Sequence, residues 1–338
     1  MILSWNEQLV NQKRTAFANT YKFLPYNLSI MYDLMNTAEK IRTMEIRGAG
    51  RIAVAASAAL RDHAHTLSSL SSDEFEKSIN EAAKILVETR PTAVSLPNAV
   101  ALTKKHSSRD VNEAIAEIVA NSEKFIKNAN EALEKIGTVG ARRIRDGDVI
   151  MTHCNSHAAI AIIKTAFNQG KKISVIATES RPRRQGFITI RELNDAGIPT
   201  TLIVDSAVRL VMKDVDLVVV GADSIAVNGA LVNKIGTSQL ALAAREARKN
   251  VLVAAETYKF SPNTILGQMV EIEDRSSDEV IDPNLLKEMS NVKVRNPAFD
   301  ITPPEYIDLI ITDAGAFPPA MAYMVIKEYL GLDLVDMK

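Results

Sequence analysis

Short apolar runs, each followed by polar residues and often by a helical stretch, dominate the sequence beyond Asp148. Six such runs occur, at residues 148–153, 173–178, 200–205, 216–221, 251–256 and 308–313. Runs of this length that alternate with helical segments predict a parallel sheet with helices on its faces. In open parallel sheets, ligands bind beyond the carboxyl ends of the strands, where helices begin. The polar residues that follow each run are therefore the first candidates for a functional site.

The residues before these runs lack this pattern and predict helices. Apolar residues recur at the helical period over about 108–136, and Gly137 and Gly140 predict the end of that helix. A second helix is predicted over about 72–89, because Pro91 disfavours helical geometry at the residue before it.

Residues 90–99 contain two prolines and an asparagine and predict a connector. We therefore expect two domains, in agreement with a length of 338 residues and a norm of about 150 residues per domain. The first is a helical N-terminal domain at 1–140, and the second is an α/β parallel-sheet domain at 141–338.

Composition excludes several classes of protein. The formal net charge is −1, with 40 Lys and Arg against 41 Asp and Glu, which argues against a polycationic nucleic-acid binder. No apolar run approaches the roughly 18–20 residues that span a bilayer, and polar residues occupy the place of a signal peptide's apolar stretch. We expect a cytoplasmic protein without membrane contact.

The single cysteine excludes an internal disulfide framework and a multi-thiolate zinc site.

The only thiol, Cys154, stands between the first predicted strand and the helix that follows it. Unpaired backbone N–H groups and the helix dipole favour an anion there, so the turn can lower a thiol pKa and hold a phosphate. A buried structural cysteine is the alternative, but the flanking Thr-His-Cys-Asn-Ser-His is too polar for the end of a core strand. His153 and His157 flank the thiol as zinc ligands would, but no further Cys or clustered His completes a metal site.

A second polar cluster follows the fourth run, within residues 216–242. Asp223 is the first acid beyond Gly221, and a carboxylate enclosed there by apolar neighbours can have a raised pKa and act as a general acid or base. Lys234 stands beside Gly236 at the start of a helix, which suits a phosphate ligand. An Asp that caps a turn and a surface Lys are the alternatives, but the density of Gly, Asn, Lys and Thr favours a functional site.

Residues 47–53, Arg-Gly-Ala-Gly-Arg-Ile-Ala, fit the G-x-G-x-x-A dinucleotide fingerprint. That fingerprint requires a buried strand before it and an acidic residue about 20 positions later, at the end of another strand. Residues 37–45 look helical and no strand follows Arg61, so NAD binding is disfavoured. The loop still offers backbone N–H groups beside Arg47, and Arg90 stands beside another constrained loop. Both suit an anion, with a surface salt bridge as the alternative for each arginine.

Further cations follow two of the predicted strands. Residues 179–186 contain three arginines, and Lys259 follows the fifth run. A solvated charge cluster is the alternative for each, but together with Lys234, Arg47 and Arg90 these cations favour a site for one or more phosphates. No P-loop, G-x-S-x-G elbow or H-E-x-x-H motif is present, which argues against the commonest nucleoside triphosphatases, esterases and zinc proteases.

The motifs THCNSH, GADSIAVNGALVNKIGT, RGAG and ETYKF together resemble the superfamily of sugar-1-phosphate isomerases and translation initiation factor 2B regulatory subunits. Within this superfamily, the chain is most similar to archaeal ribose-1,5-bisphosphate isomerases, on the motifs RGAGRIA, TRPTAVSLPN and HCNSHAA. Methylthioribose-1-phosphate isomerases typically have RGAPAIG in place of RGAGRIA. The resemblance runs from about Met44 to the C-terminus. The roughly 25 residues at the start fall outside it and suggest an extension from an upstream start site.

This resemblance implies a Rossmann-like C-terminal domain through which the chains form homo-oligomers, hexamers in this family. It implies interconversion of α-D-ribose 1,5-bisphosphate and D-ribulose 1,5-bisphosphate, and its pathway context suggests AMP as an activator, for which the sequence shows no motif. Cys154 and Asp223 take the positions of the catalytic pair. Substrate contacts carry over onto Arg47, Gly48, Ala49, Gly50, Arg90, Ser156, His157, Ala158, Asn233, Lys234 and Lys259.

The chemistry fits these residue types. A 1-phosphorylated furanose has no free anomeric hydroxyl, so an acid must assist ring opening at the ring oxygen before hydrogen moves from C2 to C1. Asp223 is the candidate acid, kept protonated by apolar surroundings, and Cys154 as a thiolate is the candidate base at C2. A hydride shift that leaves Cys154 a bystander stays open. Neither route requires a metal or an organic cofactor.

Two other functions stay open. A regulatory initiation factor 2B-like subunit shares the architecture but has no chemical need for the catalytic pair, which is intact here. A methylthioribose-1-phosphate isomerase needs an apolar pocket in place of a 5-phosphate site, and the RGAG sequence and the cations argue against it.

Overall fold

All six apolar runs form strands in the computed structural model. The described chain separates into two compact units. The first unit reaches Lys127 and the second starts at Asn128, apart from a short stretch before Leu96 that belongs to the second unit. The structure describes residues 28–46, 48–90, 94–266 and 272–331.

The described part of the first unit is helical, as predicted. The capping box at the start of its third helix shows how the sequence sets a helix end: Glu74 donates its N–H to Ser71, and its carboxylate accepts from the Ser71 backbone. In chain order the helices are α1 (Leu28–Arg42), α2 (Ala49–Ala64), α3 (Ser72–Val87), α4 (Ser95–Lys104) and α5 (Val111–Ala141), the last of which continues into the second unit.

The prediction of a connector over 90–99 is wrong in part, because α4 already begins at Ser95. Pro97 lies in the first turn of that helix, where a residue without an N–H breaks no intrahelical hydrogen bond. Proline is therefore compatible with the first turn of a helix, although the sequence pattern treats it as a helix breaker.

The predicted stop of the long helix at Gly137 is also wrong, since α5 runs through both glycines to Ala141. A Cβ at Gly137 would lie 2.6 Å from Oγ1 of Thr165, and one at Gly140 would lie 2.5 Å from Cδ1 of Ile162. Both neighbours belong to the next helix of the chain. The glycines therefore permit a close helix–helix contact and do not end the helix.

A seven-stranded sheet forms the centre of the second unit. The predicted fold class, a helical domain followed by an α/β parallel-sheet domain, is confirmed. Six strands are parallel and correspond to the six apolar runs; the seventh is antiparallel and lies at one edge. The strands are β1 (Val149–Thr152), β2 (Ser174–Thr178), β3 (Thr200–Ile203), β4 (Leu217–Gly221), β7 (Asn250–Ala254), β9 (Leu309–Thr312) and β10 (Gly315–Phe317). Their spatial order is β10-β9-β7-β4-β1-β2-β3.

A small antiparallel sheet follows β4 and was not predicted. It consists of β5 (Ser224–Ile225), β6 (Leu231–Lys234) and β8 (Phe299–Thr302), with β6 in the middle. β6 pairs with β8 so that Asn233 lies opposite Asp300 and Lys234 opposite Phe299. This pairing brings a distant segment of the chain beside the predicted phosphate ligand.

Helices connect the strands and cover the large sheet. The apolar face of the first of them packs into a core that includes Ile150, Ile162, Val219, Leu252 and Ile311, all at most 3% exposed. The helices are α6 (His157–Asn168), α7 (Gly186–Asp195), α8 (Val208–Val211), α9 (Thr237–Glu246), α10 (Pro283–Lys287) and α11 (Ala322–Val325).

Candidate active site

Cys154 lies in the turn between β1 and α6, in a left-handed backbone conformation with φ of 65°. Such a conformation costs a residue other than glycine about 1–2 kcal/mol. Two hydroxyls hold it in place: the Cys154 N–H donates to Oγ of Ser180 over 2.7 Å, and Oγ1 of Thr189 donates to the Cys154 carbonyl over 2.7 Å. The backbone that carries the thiol is thus fixed by the segments that follow the next strand.

His153 is buried behind this turn. Its Nδ1 is 2.6 Å from Oγ1 of Thr178, and its Nε2 is 2.8 Å from the carbonyl of Ile235. Burial is the largest influence on its pKa, which lies below the ordinary value. A Cβ at Gly236 would approach the ring to 3.0 Å. His153 therefore packs as a neutral core residue between β1 and the segment before α9.

The start of α6 lies at the carboxyl edge of the sheet, as predicted. Ser156 caps the helix, since its Oγ accepts the N–H of Ala159 over 3.3 Å. A Cβ at Gly221, the last residue of the neighbouring β4, would overlap this hydroxyl. The two other residues predicted here differ in exposure: His157 is exposed, whereas Ala158 is buried.

The small sheet holds the second group of predicted residues. Asp223 is partly buried, and its N–H donates to the carbonyl of Val232 over 3.0 Å. Nζ of Lys234 donates to the carbonyl of Ala298 over 2.9 Å and lies 5.1 Å from the centre of the Phe299 ring. The neighbouring Asn233 is buried, and its amide donates to Oγ1 of Thr237 over 3.0 Å.

Cys154, Asp223 and Lys234 influence one another electrostatically. Burial raises the pKa of the Cys154 thiol to about 11; the Lys234 charge acts against this rise and the Asp223 charge adds to it. Burial likewise lowers the pKa of Lys234, and the negative charges of Cys154 and Asp223 oppose that change. The structure thus brings the two predicted catalytic residues and one predicted phosphate ligand together in the second unit.

The start of α9 already has an anionic partner. Asp300 of β8 accepts the N–H of Gly236 over 2.7 Å and that of Ser238 over 3.1 Å. Burial raises the pKa of Asp300 to about 6, although these hydrogen bonds oppose the rise. Sequence reasoning missed Asp300, because only the pairing of β6 with β8 brings this carboxylate to the helix.

Lys259 follows β7 and is buried in an ion pair, with its Nζ 2.8 Å from the carboxylate of Glu256. The hydroxyl of Tyr258 donates to the same carboxylate over 3.2 Å. A substrate phosphate at Lys259 would have to share this lysine with Glu256. The predicted contact at Lys259 stays a prediction.

The remaining predicted contacts belong to the first unit. Gly48, with φ of 92°, caps the start of α2, and Ala49 and Gly50 form the first turn of that helix. Nη1 of Arg90 donates to Sδ of Met44 over 2.8 Å. Arg47 lies outside the described residues. The roles assigned to these residues stay predictions.

The arginine-rich loop after β2 makes internal contacts. Asp205 accepts the N–H groups of Ser180 and Arg181, each over 2.8 Å. Nε of Arg183 donates to Glu279 over 2.8 Å. At least part of this cationic cluster is therefore structural.

The described residues offer neither a candidate metal centre nor a membrane-spanning helix. They contain no group of three or more His, Cys, Asp or Glu side chains that could hold a metal ion. Within these same residues, no helix has both the length and the apolar character needed to cross a membrane.

Solved proteins share this arrangement of a helical unit followed by a parallel sheet. The sequence profile of the initiation factor 2 subunit family matches residues 45–319, and the chain belongs to this family. Two solved structures from Pyrococcus horikoshii OT3, each 32% identical, share the fold. The translation initiation factor eIF-2B matches with a TM-score of 0.70 over 85% of this chain and 97% of that one. The 5-methylthioribose 1-phosphate isomerase matches with a TM-score of 0.67 over 89% and 88%.

Within the family, several relatives are more similar in sequence to this chain than these two structures are. The ribose 1,5-bisphosphate isomerase of Methanocaldococcus jannaschii is 51% identical over 90% of this chain and 98% of its own length. That of Archaeoglobus fulgidus is 53% identical over 89% and 95%. The methylthioribose-1-phosphate isomerase of Geotalea uraniireducens is 37% identical over 84% and 86%. The predictions of this family and of an isomerase are thereby confirmed.

Proposed function

We propose that the protein converts α-D-ribose 1,5-bisphosphate to D-ribulose 1,5-bisphosphate. The observation that carries this proposal is the identity of 51–53% to relatives of that name along about nine-tenths of the chain. A relative named methylthioribose-1-phosphate isomerase reaches 37%. The regulatory alternative shares the fold, but function has to be argued from the site, and the thiol, carboxylate and ammonium of the site suit acid–base chemistry on an anionic sugar.

The proposed reaction begins with Asp223 as a protonated acid. Its proton passes to the ring oxygen as the bond between C1 and that oxygen breaks, which leaves a cation at C1 stabilised by the phosphate-bearing oxygen. The Cys154 thiolate then takes the proton from C2, and a C1–C2 double bond forms. Finally C1 receives the proton from the thiol, and the 2-hydroxyl returns its proton to Asp223 as the ketone forms. Both side chains end in their starting states.

Binding energy from the phosphates supports this chemistry. Lys234 is buried beside the pair, so a phosphate placed there would fix the sugar relative to Cys154 and Asp223. Contacts with the phosphate at C5, far from the reacting carbons, would help to orient C1 and C2. The remaining substrate contacts at residues 47–50, Arg90, 156–158, Asn233 and Lys259 belong to the same proposal.

The test is nuclear magnetic resonance of the purified protein with α-D-ribose 1,5-bisphosphate labelled with 13C at C2. The ketone carbon of ribulose 1,5-bisphosphate should appear with wild-type protein. Cys154→Ser and Asp223→Asn should each lower the turnover number at least about 100-fold, the scale of acid–base catalysis. Asp195→Asn, an exposed acid at the end of α7, is the matched control and should keep the wild-type rate. Near-wild-type rates in either site variant would reject the role assigned to it.

The other outcomes separate the alternatives. If methylthioribose 1-phosphate reacts and the bisphosphate does not, the protein is a methylthioribose-1-phosphate isomerase. If neither compound reacts, a regulatory subunit is favoured. In deuterated water, deuterium at C1 of the product would support proton transfer through Cys154. Complete retention of the C2 hydrogen, with full activity of Cys154→Ser, would establish the hydride shift instead.

The assembly belongs to the same proposal: a cytoplasmic homo-hexamer that AMP activates. It rests on the family resemblance. Light scattering should give the mass of six chains, and AMP should raise the isomerase rate; a monomer or an unchanged rate would contradict the respective part.

A further inference from the structure

A second cation, Arg275, lies beside the site, in a segment whose other charged residues are acidic. Its guanidinium carbon is 6.0 Å from the centre of the Phe299 ring, whose centre is also 5.1 Å from Nζ of Lys234. Only 16% of the Arg275 side chain is exposed, and Lys234 is 7% exposed. Two nearly buried cations therefore share one aromatic ring.

The backbone around Arg275 is held in a fixed register. The Arg275 N–H donates to the carbonyl of Asn296 over 2.9 Å, and the Ala298 N–H donates to the carbonyl of Glu273 over 2.8 Å. These bonds pair the segment with the chain that enters β8. Because side chains alternate along an extended chain, Glu273 and Arg275 lie on the same side, towards Phe299.

The same segment is tied to the loop that holds Cys154 in place. Glu279 accepts from Nε of Arg183 over 2.8 Å, and the amide of Asn296 donates to the carbonyl of Ser276 over 2.9 Å. This explains part of the arginine-rich loop after β2: Arg183 fixes the segment that carries Arg275.

The arrangement of charge favours an anion. The Arg275 charge adds to burial in lowering the pKa of Lys234, so the two cations repel each other. Glu273 is 3.2 Å from Nε of Arg275 and compensates for part of the charge. That contact uses the inner nitrogen of the guanidinium, whereas Nη1 and Nη2 form the pair that can grip a phosphate with two hydrogen bonds.

We infer that Arg275 binds a phosphate of the substrate together with Lys234, on the side of the reacting carbons. The inference rests on the proposed function. Arg275 also opposes, with Lys234, the effect of burial on the Cys154 thiol. Cys154 is the proposed base that takes the proton from C2, and the nearer phosphate of the substrate is attached to the adjacent carbon, C1. A cation close enough to influence Cys154 is therefore suited to bind the phosphate at C1.

The test compares Arg275→Met with Arg295→Met. Arg295 lies in the paired chain that enters β8, but its side chain is 84% exposed and forms a surface ion pair with Asp274 at 3.7 Å. Arg275→Met should raise the KM for ribose 1,5-bisphosphate about 10- to 100-fold, the range for a hydrogen bond to a charged group. The inhibition constant of inorganic phosphate should rise in parallel, and kcat should fall by less than KM rises. Arg295→Met should change none of these.

Arg275→Lys keeps the charge but loses the paired nitrogens, so its KM should lie between those of wild type and Arg275→Met. If wild-type protein converts the bisphosphate and both Arg275 variants keep the wild-type KM and phosphate inhibition, the inference about Arg275 fails and the proposed function stands. If wild type does not convert the bisphosphate, the proposed function fails, and with it the inference. A melting temperature within a few degrees of wild type shows that a raised KM does not come from misfolding.

Discussion

The reactivity of Cys154 depends on two opposing influences. Burial raises the pKa of the thiol to about 11, and the positive charge of Lys234 works against it. At neutral pH the free site therefore holds a thiol, whereas the proposed base is a thiolate. Since the thiolate becomes more abundant as pH rises, the fraction of Cys154 in the reactive form should increase with pH until the thiol pKa is reached.

Alkylation by iodoacetamide measures this thiolate directly, because Cys154 is the only cysteine of the chain. The rate should rise about tenfold per pH unit from pH 7 to pH 10, since only the thiolate reacts. Lys234→Met should lower the rate at pH 9 several-fold, because the lost charge no longer favours the thiolate. Lys213→Met, exposed and just before β4 at the opposite edge of the sheet, is the control. A rate that is constant above pH 7 would show a depressed pKa and contradict the prediction.

Among the secondary-structure elements, α5 and α6 make a contact that depends closely on residue size. Gly137 would place a Cβ 2.6 Å from Oγ1 of Thr165 and 3.1 Å from the carbonyl oxygen of Ala161. The second neighbour is backbone, which cannot rotate away as a side chain can. The helix therefore tolerates the low helix propensity of glycine in exchange for this close approach.

Gly137→Ala should destabilise the protein by about 1–3 kcal/mol, the usual cost of overpacking. The higher helix propensity of alanine, about 1 kcal/mol, offsets part of the steric cost. Asn130→Ala, on an exposed position of α5, gains propensity without a clash and should be neutral or stabilising. Urea unfolding measures both. A stabilised Gly137→Ala protein would show that α5 and α6 can separate at no cost.

The central parallel strands could be predicted because they are buried on both faces and are therefore almost continuous apolar runs, as in Leu217–Gly221. The edge strand β3 is only partly buried. The small sheet could not: β5 has two residues, and β6 ends in Asn233 and Lys234, so neither has a strand-like pattern. Cys154 and Asp223 could be singled out as candidates because they follow predicted strands, and Lys234 because it stands beside a predicted helix start. Asp300 and Arg275 could not, since their place depends on a pairing between distant segments.

At the scale of the whole molecule, each unit buries one neutral histidine. His63, in α2, is 1% exposed and contacts Oγ of Ser78 over 3.0 Å. Burial lowers its pKa to about 4. His153 lies in the second unit, and burial lowers its pKa as well. A histidine whose pKa is lower in the folded than in the unfolded chain binds its proton more readily after unfolding, so acid should destabilise both units.

For His63 the pH window follows from two pKa values, 6.5 for an ordinary histidine and about 4 in the folded chain. Stability should be unaffected above pH 6.5 and should fall by about 1.4 kcal/mol per pH unit as pH drops from 6.5 to 4. Thermal unfolding of the full chain between pH 7.5 and 4.5 measures this loss. His63→Gln removes the titrating group, so its melting temperature should fall less steeply with acid than that of wild type, whatever its stability at pH 7.5. His65→Gln, two residues away and exposed, should keep the wild-type pH dependence. Equal slopes for wild type and His63→Gln would mean that His63 is protonated in the folded chain and that its burial is compensated.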